Sequence, residues 1–581
     1  MSRVQRSRFT AASLALALLV ALVTLVAPRT VRAADAVGAA GSYQTVTDDR
    51  LLNAQKDDGW LMYRRSYDSQ GYAPFDSIST ANVAQLKPVF TYATGLKQGH
   101  EAPPVVNGRF MFITTPMDHL IAMDATTGKV LWKYTAPIPP TALKTVCCDV
   151  VNRGVALYGD MVYMATLDNH VTAFDATSGK IVWNKQLMPP GVGYAMTGAP
   201  LVVDGQVVTG IAGGEFGGRC FVVALDAKTG AQKWKTYTVP GPGQAGATSW
   251  PKGMYKTGGG GTWLTGSYDP DTKTLFWGVG NPGPWLADLR PGNNLYTDSV
   301  IALDPADGKI KWHYQFTPHD TWDYDAVNES VLADITYKGQ PAKALLHADR
   351  NGNLFALDRT NGKFLWAKPF VRATSIVGFA ADGTPQSNAA SRPHLGKQIF
   401  TCPSFLGGKN WWPTAYDPTS QTIFVPTSLW CMTMKGTGTD YKAGLPYLGE
   451  SFEVKPQPGS SGWGELQAID ANTGTQKWVY KTQLPWNGPV LATKGGLVFG
   501  GTLDQRFMAF DSASGKPLWT YKMSSGVIGV PSTYMVDGKQ YVAVYAGYGG
   551  VTPLWAGPAA KAAAKIPTGG RLYVFALPQT Q

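Results

Sequence analysis

The stretch Asp124-Ala-Thr-Thr-Gly-Lys-Val-Leu-Trp132 decides the fold, because it returns six more times with the same spacing from Asp to Trp. The copies read DATSGKIVW from Asp175, DAKTGAQKW from Asp226, DPADGKIKW from Asp304, DRTNGKFLW from Asp358, DANTGTQKW from Asp470 and DSASGKPLW from Asp511. Each follows an apolar alternating run such as HLIAM or VTAF, so each reads as strand, tight turn with Gly, strand. In many units a further strand pair precedes the motif, as in GRFMFITT and KTLFWGVGN. Seven repeats at this interval predict an all-β chain built as a propeller of four-stranded sheets. The motif tryptophans, Trp132, Trp183, Trp234, Trp312, Trp366, Trp478 and Trp519, are read as structural packing between blades.

The wide gaps from Asp226 to Asp304 and from Asp358 to Asp470 read as insertions within blades. A strand near Trp60 to Tyr67 and segments near Gln540 to Ala546 and Arg571 to Leu577 remain. Pairing them closes an eighth blade and removes exposed sheet edges. The expected architecture is an eight-bladed β-propeller with tryptophan-docking motifs, one domain over residues 34–581.

Residues 1–33 read as a secretory signal peptide: Arg3, Arg6 and Arg8 precede an apolar run from Ala11 to Val26, with cleavage after Ala33. The run is short for a membrane span, which needs roughly 20 residues, so no membrane span is expected and the address is periplasmic. The leader carries five arginines and no acid, so its removal lowers the formal charge of +11 by five. Without a clustered basic tract, nucleic acid is not an expected partner. The sequence has no C-x-x-C-H for covalent haem, no G-x-G-x-x-G opening a strand-to-helix unit, and no Lys-Ser or Lys-Thr after the glycines at 258–261.

A propeller gathers functional groups at one end of its axis, from equivalent loops of successive blades. The loops offer Glu101 in HEAPPVV, Cys147-Cys148 followed by Arg153, Thr197 in MTGAP, Glu215 in AGGEFGG and Trp263 after four glycines. They continue with Asn281 in GNPGPW, Asp323 and Asp325 in TPHDTWDYD, Arg350 in HADRNG, Asn410-Trp411 and Trp486. Adjacent cysteines bond only with distortion, since neighbouring Cα atoms lie about 3.8 Å apart and ordinary disulfides span roughly 4.4–6.8 Å. The pair is therefore either a strained ring kept for a function or two reduced, buried neighbours.

Taken together, these motifs resemble the pyrroloquinoline-quinone (PQQ) dependent alcohol dehydrogenases of the methanol and ethanol dehydrogenase group, over essentially the whole mature chain. The resemblance implies a quinone between a Cys147–Cys148 disulfide and the Trp263 ring, with Glu101, Arg153, Thr197 and Arg350 holding its carboxylates and carbonyls. Gly213, Gly214, Asn410, Trp411 and Trp486 border it. Glu215, Asn281 and Asp323 match metal ligands, and oxygen donors select a hard cation. Asp323 also matches the catalytic base, which deprotonates a small alcohol for hydride transfer to the quinone, electrons then passing to a soluble cytochrome c. His319 and Asp320 read as loop scaffolding.

Asp325 matches the additional aspartate of the lanthanide-using branch, where three carboxylates and one amide suit a lanthanide(III) better than Ca²⁺ by charge. The other reading is an Asp bonded to its own loop. Cys402 and Cys431 are expected to form a second, ordinary disulfide, and Cys220 to be buried and inert. CPSFLGGKN is similar to ethanol-type members, so primary alcohols such as ethanol are the expected substrates. Two other readings stand at this point: a quinoprotein acting on sugars or aldehydes, and a non-catalytic envelope scaffold. A homodimer is compatible with the sequence.

Overall fold

The computed structural model describes residues 43–578; the proposed leader, residues 1–33, lies outside the described residues. Each motif copy spans the third and fourth strands of an antiparallel meander. In the first, Val105–Asn107, Phe110–Thr115, His119–Asp124 and Val130–Thr135 pair in that order. The first two strands are buried on both faces, whereas Val130–Thr135 is half-covered, which is why the inner strands read as unbroken apolar runs. Among the described residues, eight sheets of four or five strands follow one another along the chain.

The motif letters have separable jobs. Asp124 Oδ1 accepts the backbone N–H of Thr126 (3.0 Å) and Thr127 (2.9 Å), closing the turn. Gly128 then takes φ 74°, a region that disfavours any side chain with a Cβ. The Trp serves the next sheet. The Trp132 ring lies where a Cβ on Gly179 of the following motif would sit, and its indole donates to Ala176 O at 3.0 Å. Trp183 repeats this on Gly230 and Ala227, and Trp234 on Gly308 and Pro305. Trp312, Trp366 and Trp478 press on Gly362, Gly474 and Gly515 in the same way. At the seam Phe90 takes the place of the indole over Gly128, while Trp519 donates to Leu86 O at 3.2 Å.

The strand that completes the last sheet is not the expected one. Lys87–Ala93 pairs with Arg571–Ala576, beside Lys539–Ala546 and Ser532–Val536. KPVFTYA alternates strictly between exposed and half-buried positions, as an outermost strand should. The segment from Trp60 to Tyr67 instead runs along the axis. Trp60 bridges Val106, the Arg64 guanidinium donates to Thr414 O and Val490 O, and Tyr67 donates to Val202 O. Positive φ at Arg65 and Ser69 breaks the extension a strand needs. Backbone groups at the ends of inner strands need partners, and the chain from Trp60 to Gly71 supplies them: Tyr268 and Leu332 N–H donate to Tyr67 O and Asp68 O, and Ala492 N–H to Gly71 O.

The two wide gaps are partly between sheets and partly within them. Residues 238–266 connect successive sheets, whereas the hairpin of Trp430–Gly436 and Glu450–Pro456 interrupts one. Cys402 and Cys431 form the expected disulfide, tying this hairpin to the loop that carries Phe405, Asn410 and Trp411. Cys220 is fully buried, as expected. No described helix is long and apolar enough to cross a membrane.

Trp234→Ala removes a buried ring and its bond to Pro305 O. A loss of about 3–5 kcal/mol is expected in denaturant unfolding, and a loss below about 1 kcal/mol would show that the indole does not dock the sheets.

Candidate active site

Loops from successive sheets converge on one cavity of about 360 Å³. Glu101, Cys147, Cys148, Arg153, Thr197 and Gly213 line it. So do Glu215, Trp263, Asp323, Asp325, Arg350, Asn410 and Trp411. Gly214, Asn281 and Trp486 are not on its wall. Gly214 and Asn281 stand directly behind it: a Cβ on Gly214 would come within 2.5 Å of Asn281 Oδ1, so glycine is what lets that amide approach the Glu215 turn. Trp486 is fully buried in the core between Tyr480 and Phe510 and donates to Gly488 O, so the structure does not bring its ring to the cavity. Its apolar surroundings hold it there.

One side of the cavity is cationic. The Arg153 guanidinium pairs with Glu101 at 2.8 Å, donates to Thr197 Oγ1 at 2.7 Å, and lies 4.9 Å from the Trp263 ring centroid and 5.1 Å from that of Trp411. Burial pushes Glu101 up to about 7, with Arg153 opposing.

The other side is acidic. Glu215, Asp323 and Asp325 each offer a carboxylate oxygen, all within 4.8 Å of one another. Arg350 pairs with Asp325 at 2.8 Å and Asp323 at 3.1 Å. Burial, then Asp325, raises Glu215 to about 7; burial raises Asp323 well above the carboxylate range, the neighbouring acids adding to it and Arg350 opposing. Asp323 Oδ1 is buried with no protein partner. Asp325 is further fixed by the Asn281 N–H (2.6 Å) and the Trp263 indole (3.1 Å), and Gly280 has no room for a Cβ beside it.

Asp320 does the scaffolding expected of it. Its carboxylate accepts the N–H of Trp322 and Asp323, both at 3.0 Å, and of Tyr324 at 3.3 Å, holding Asp323 at φ 63°. His319 likewise contacts the Ala287 carbonyl and carries the backbone oxygen that Arg392 binds.

The cysteine pair departs from the disulfide expectation. Cys147 and Cys148 stand as free thiols with their sulfurs 2.9 Å apart. That is about 0.9 Å beyond a bond, and closing it requires distortion of the peptide between neighbouring Cα atoms.

The sequence reading missed the apolar wall, where Trp285, Phe405, Leu448, Phe452 and Trp555 complete the cavity. They come from insertions and the C-terminal segment, where no repeat marks their positions. Phe452, for example, lies in the hairpin Glu450–Pro456, whose burial pattern is irregular.

The chain as a whole is similar to known proteins. A family model described as PQQ: Glucose/ethanol/alcohol dehydrogenase, beta-propeller domain, matches residues 60–372 and 384–542. The chain belongs to the PQQ-dependent alcohol dehydrogenase family. The quinoprotein alcohol dehydrogenase PedH of Pseudomonas putida is 40% identical, over 93% of this chain and 95% of the relative. The lanthanide-dependent methanol dehydrogenase of Methylacidiphilum fumariolicum is 38% identical, over 87% of each. A solved europium-containing methanol dehydrogenase superposes with a TM-score of 0.88 at 35% identity, covering 91% of this chain and all of that one. For a member of this family, PQQ with a metal is the expected equipment, and the donors described above fit both.

Next to Glu101, His100 is buried between Gly547 and Gly570 and bonded to Gln98 O and Thr94 Oγ1. Burial lowers its pKa to about 4. The unfolded ring protonates near 6.5, so the unfolded state binds more protons as pH falls and stability declines. On the order of 2 kcal/mol is lost between pH 7 and pH 5 through this group. Unfolding of wild type and His100→Gln at both pH values should show a shallower pH slope in the variant; equal slopes would contradict the assignment.

Proposed function

We propose that the chain is a periplasmic quinoprotein that oxidises ethanol-like primary alcohols to aldehydes, using PQQ and one bound cation, and passes electrons to a cytochrome c. The leader at 1–33 directs its export, and residues 34–581 form one domain, an eight-bladed ring closed by Lys87–Ala93. The observation that carries this reading is the buried trio Glu215, Asp323 and Asp325 at one edge of a cavity walled by Trp263.

The chain's own groups divide the work. Glu215, Asp323, Asp325 and the Asn281 amide hold the cation; an oxygen set with three carboxylates against one Arg350 favours lanthanide(III) over Ca²⁺. The names of the lanthanide-dependent and europium-containing relatives support that choice. Trp263 would be the floor and Cys147–Cys148 the cover of the quinone, the two sulfurs standing 2.9 Å apart. Glu101, Arg153, Thr197 and Arg350 supply the polar contacts of its rim, with Gly213, Gly214, Asn410 and Trp411 around them and Trp486 supporting from the core. When bound, PQQ supplies a two-electron acceptor and the cation a Lewis acid. Asp323 takes the alcohol proton on its unpartnered Oδ1. Phe405, Phe452 and Trp555 keep water away and receive the alcohol's apolar end.

The test is reconstitution with PQQ and either La³⁺ or Ca²⁺, followed by ethanol-dependent dye reduction. Activity with La³⁺ and little with Ca²⁺ is expected; full activity with Ca²⁺ alone overturns the metal assignment, and no PQQ retention with either overturns the function. Asp323→Asn should lower kcat by roughly 10²–10⁴-fold, and a loss under tenfold would remove Asp323 as the base.

A further inference from the structure

The residue after the cysteine pair has a task that the reading above leaves open. Asp149 sits at φ 75°, a conformation its own side chain supports by accepting the Val150 N–H at 2.8 Å. Its other oxygen accepts two N–H groups from far along the chain, Gly99 at 2.8 Å and Gly550 at 2.9 Å. Those donors meet because glycines allow it. A Cβ on Gly99 would come within 2.6 Å of Gly550 N, one on Gly549 would collide with Gly99, and one on Gly550 would come within 2.6 Å of Glu101 Oε1.

Each strand of this junction leads to a different wall of the cavity. Cys147 and Cys148 precede Asp149, Glu101 lies two residues beyond Gly99, and Val551 and Trp555 follow Gly550 in the short helix Val551–Trp555. One carboxylate therefore joins the cover, the Glu101 edge and the C-terminal wall.

We propose that Asp149 is a clasp that controls retention of the cofactor, a positioning residue that keeps the cysteine cover and the Trp555 wall closed over it. The proposal rests on the PQQ reading of the cavity. Asn is the sharpest replacement, because it offers one oxygen where the site uses two, and its amide hydrogens would face backbone donors. Ala removes the acceptor without that conflict.

The experiment compares wild type, Asp149→Asn and Asp149→Ala, loaded with PQQ and metal, well below their unfolding temperatures. Two rates are read: PQQ release, and modification of Cys147 and Cys148 by a maleimide after mild reduction. Both should rise at least tenfold in the variants, whereas a purely structural role would lower Tm and leave both rates near wild type. Release and modification within twofold of wild type overturn the clasp. If wild type itself retains no PQQ, the function reading fails, and the clasp is then judged on amide hydrogen exchange in the unloaded protein. Gly99 and Gly550 should show equal protection in wild type, within threefold, as must also hold if neither variant folds; unequal protection overturns the proposal.

Discussion

Three carboxylates held within 4.8 Å of one another repel by about 3 kcal/mol per pair at an effective dielectric near 20. A single guanidinium, Arg350, reaches two of them. Burial raises the proton affinity of Glu215 and Asp323 first, and the neighbouring acids add to it. A chain can hold charges in this way only if the backbone beneath them cannot relax. Each acid is accordingly pinned by local structure: Glu215 on a turn entered through Gly213 at φ 151°, Asp323 by the Asp320 carboxylate, Asp325 by the Asn281 N–H and the Trp263 indole. A hard cation relieves the repulsion and turns a costly cluster into a binding site.

The rest of the fold can be understood as what keeps those loops from moving. Six of the motif indoles lie against the turn glycine of the next motif copy, and Phe90 takes that place at the seam. Residues 58–71 satisfy backbone groups of inner strands, and the buried Arg64 and Arg65 each donate two bonds to carbonyls there. The bond from Trp263 to Asp325 ties the indole to the acidic edge, so neither moves without the other.

Much of this was legible in the sequence, for physical reasons. A turn that needs an Asx acceptor, a left-handed glycine and a docking indole admits few substitutes, so Asp124, Gly128 and Trp132 recur in register. The resemblance to the family singles out Glu215, Trp263, Asp323 and Arg350 among the loop residues, and all four line the cavity. What hid were features with no obligatory residue. The closing strand Lys87–Ala93 carries only an alternation weaker than the motif, and Phe90 does a tryptophan's work without its letter. Trp60 to Tyr67 looked like a strand because apolar residues also suit an axial position. Trp486 is set at the border of the quinone by the family resemblance, whereas its ring packs on Tyr480 and Phe510 in the core. The apolar wall of Phe405, Phe452 and Trp555 belongs to insertions, whose course no local pattern fixes.

The central claim is that one cation is shared by the carboxylates of 215, 323 and 325 at the edge of the aromatic floor. Anomalous diffraction from crystals of protein loaded with PQQ and La³⁺, collected at a lanthanum absorption edge, tests it most directly. A single strong peak within coordination distance of all three carboxylates and of the Asn281 amide is the predicted result. A peak elsewhere, or none at full PQQ occupancy, would contradict the account.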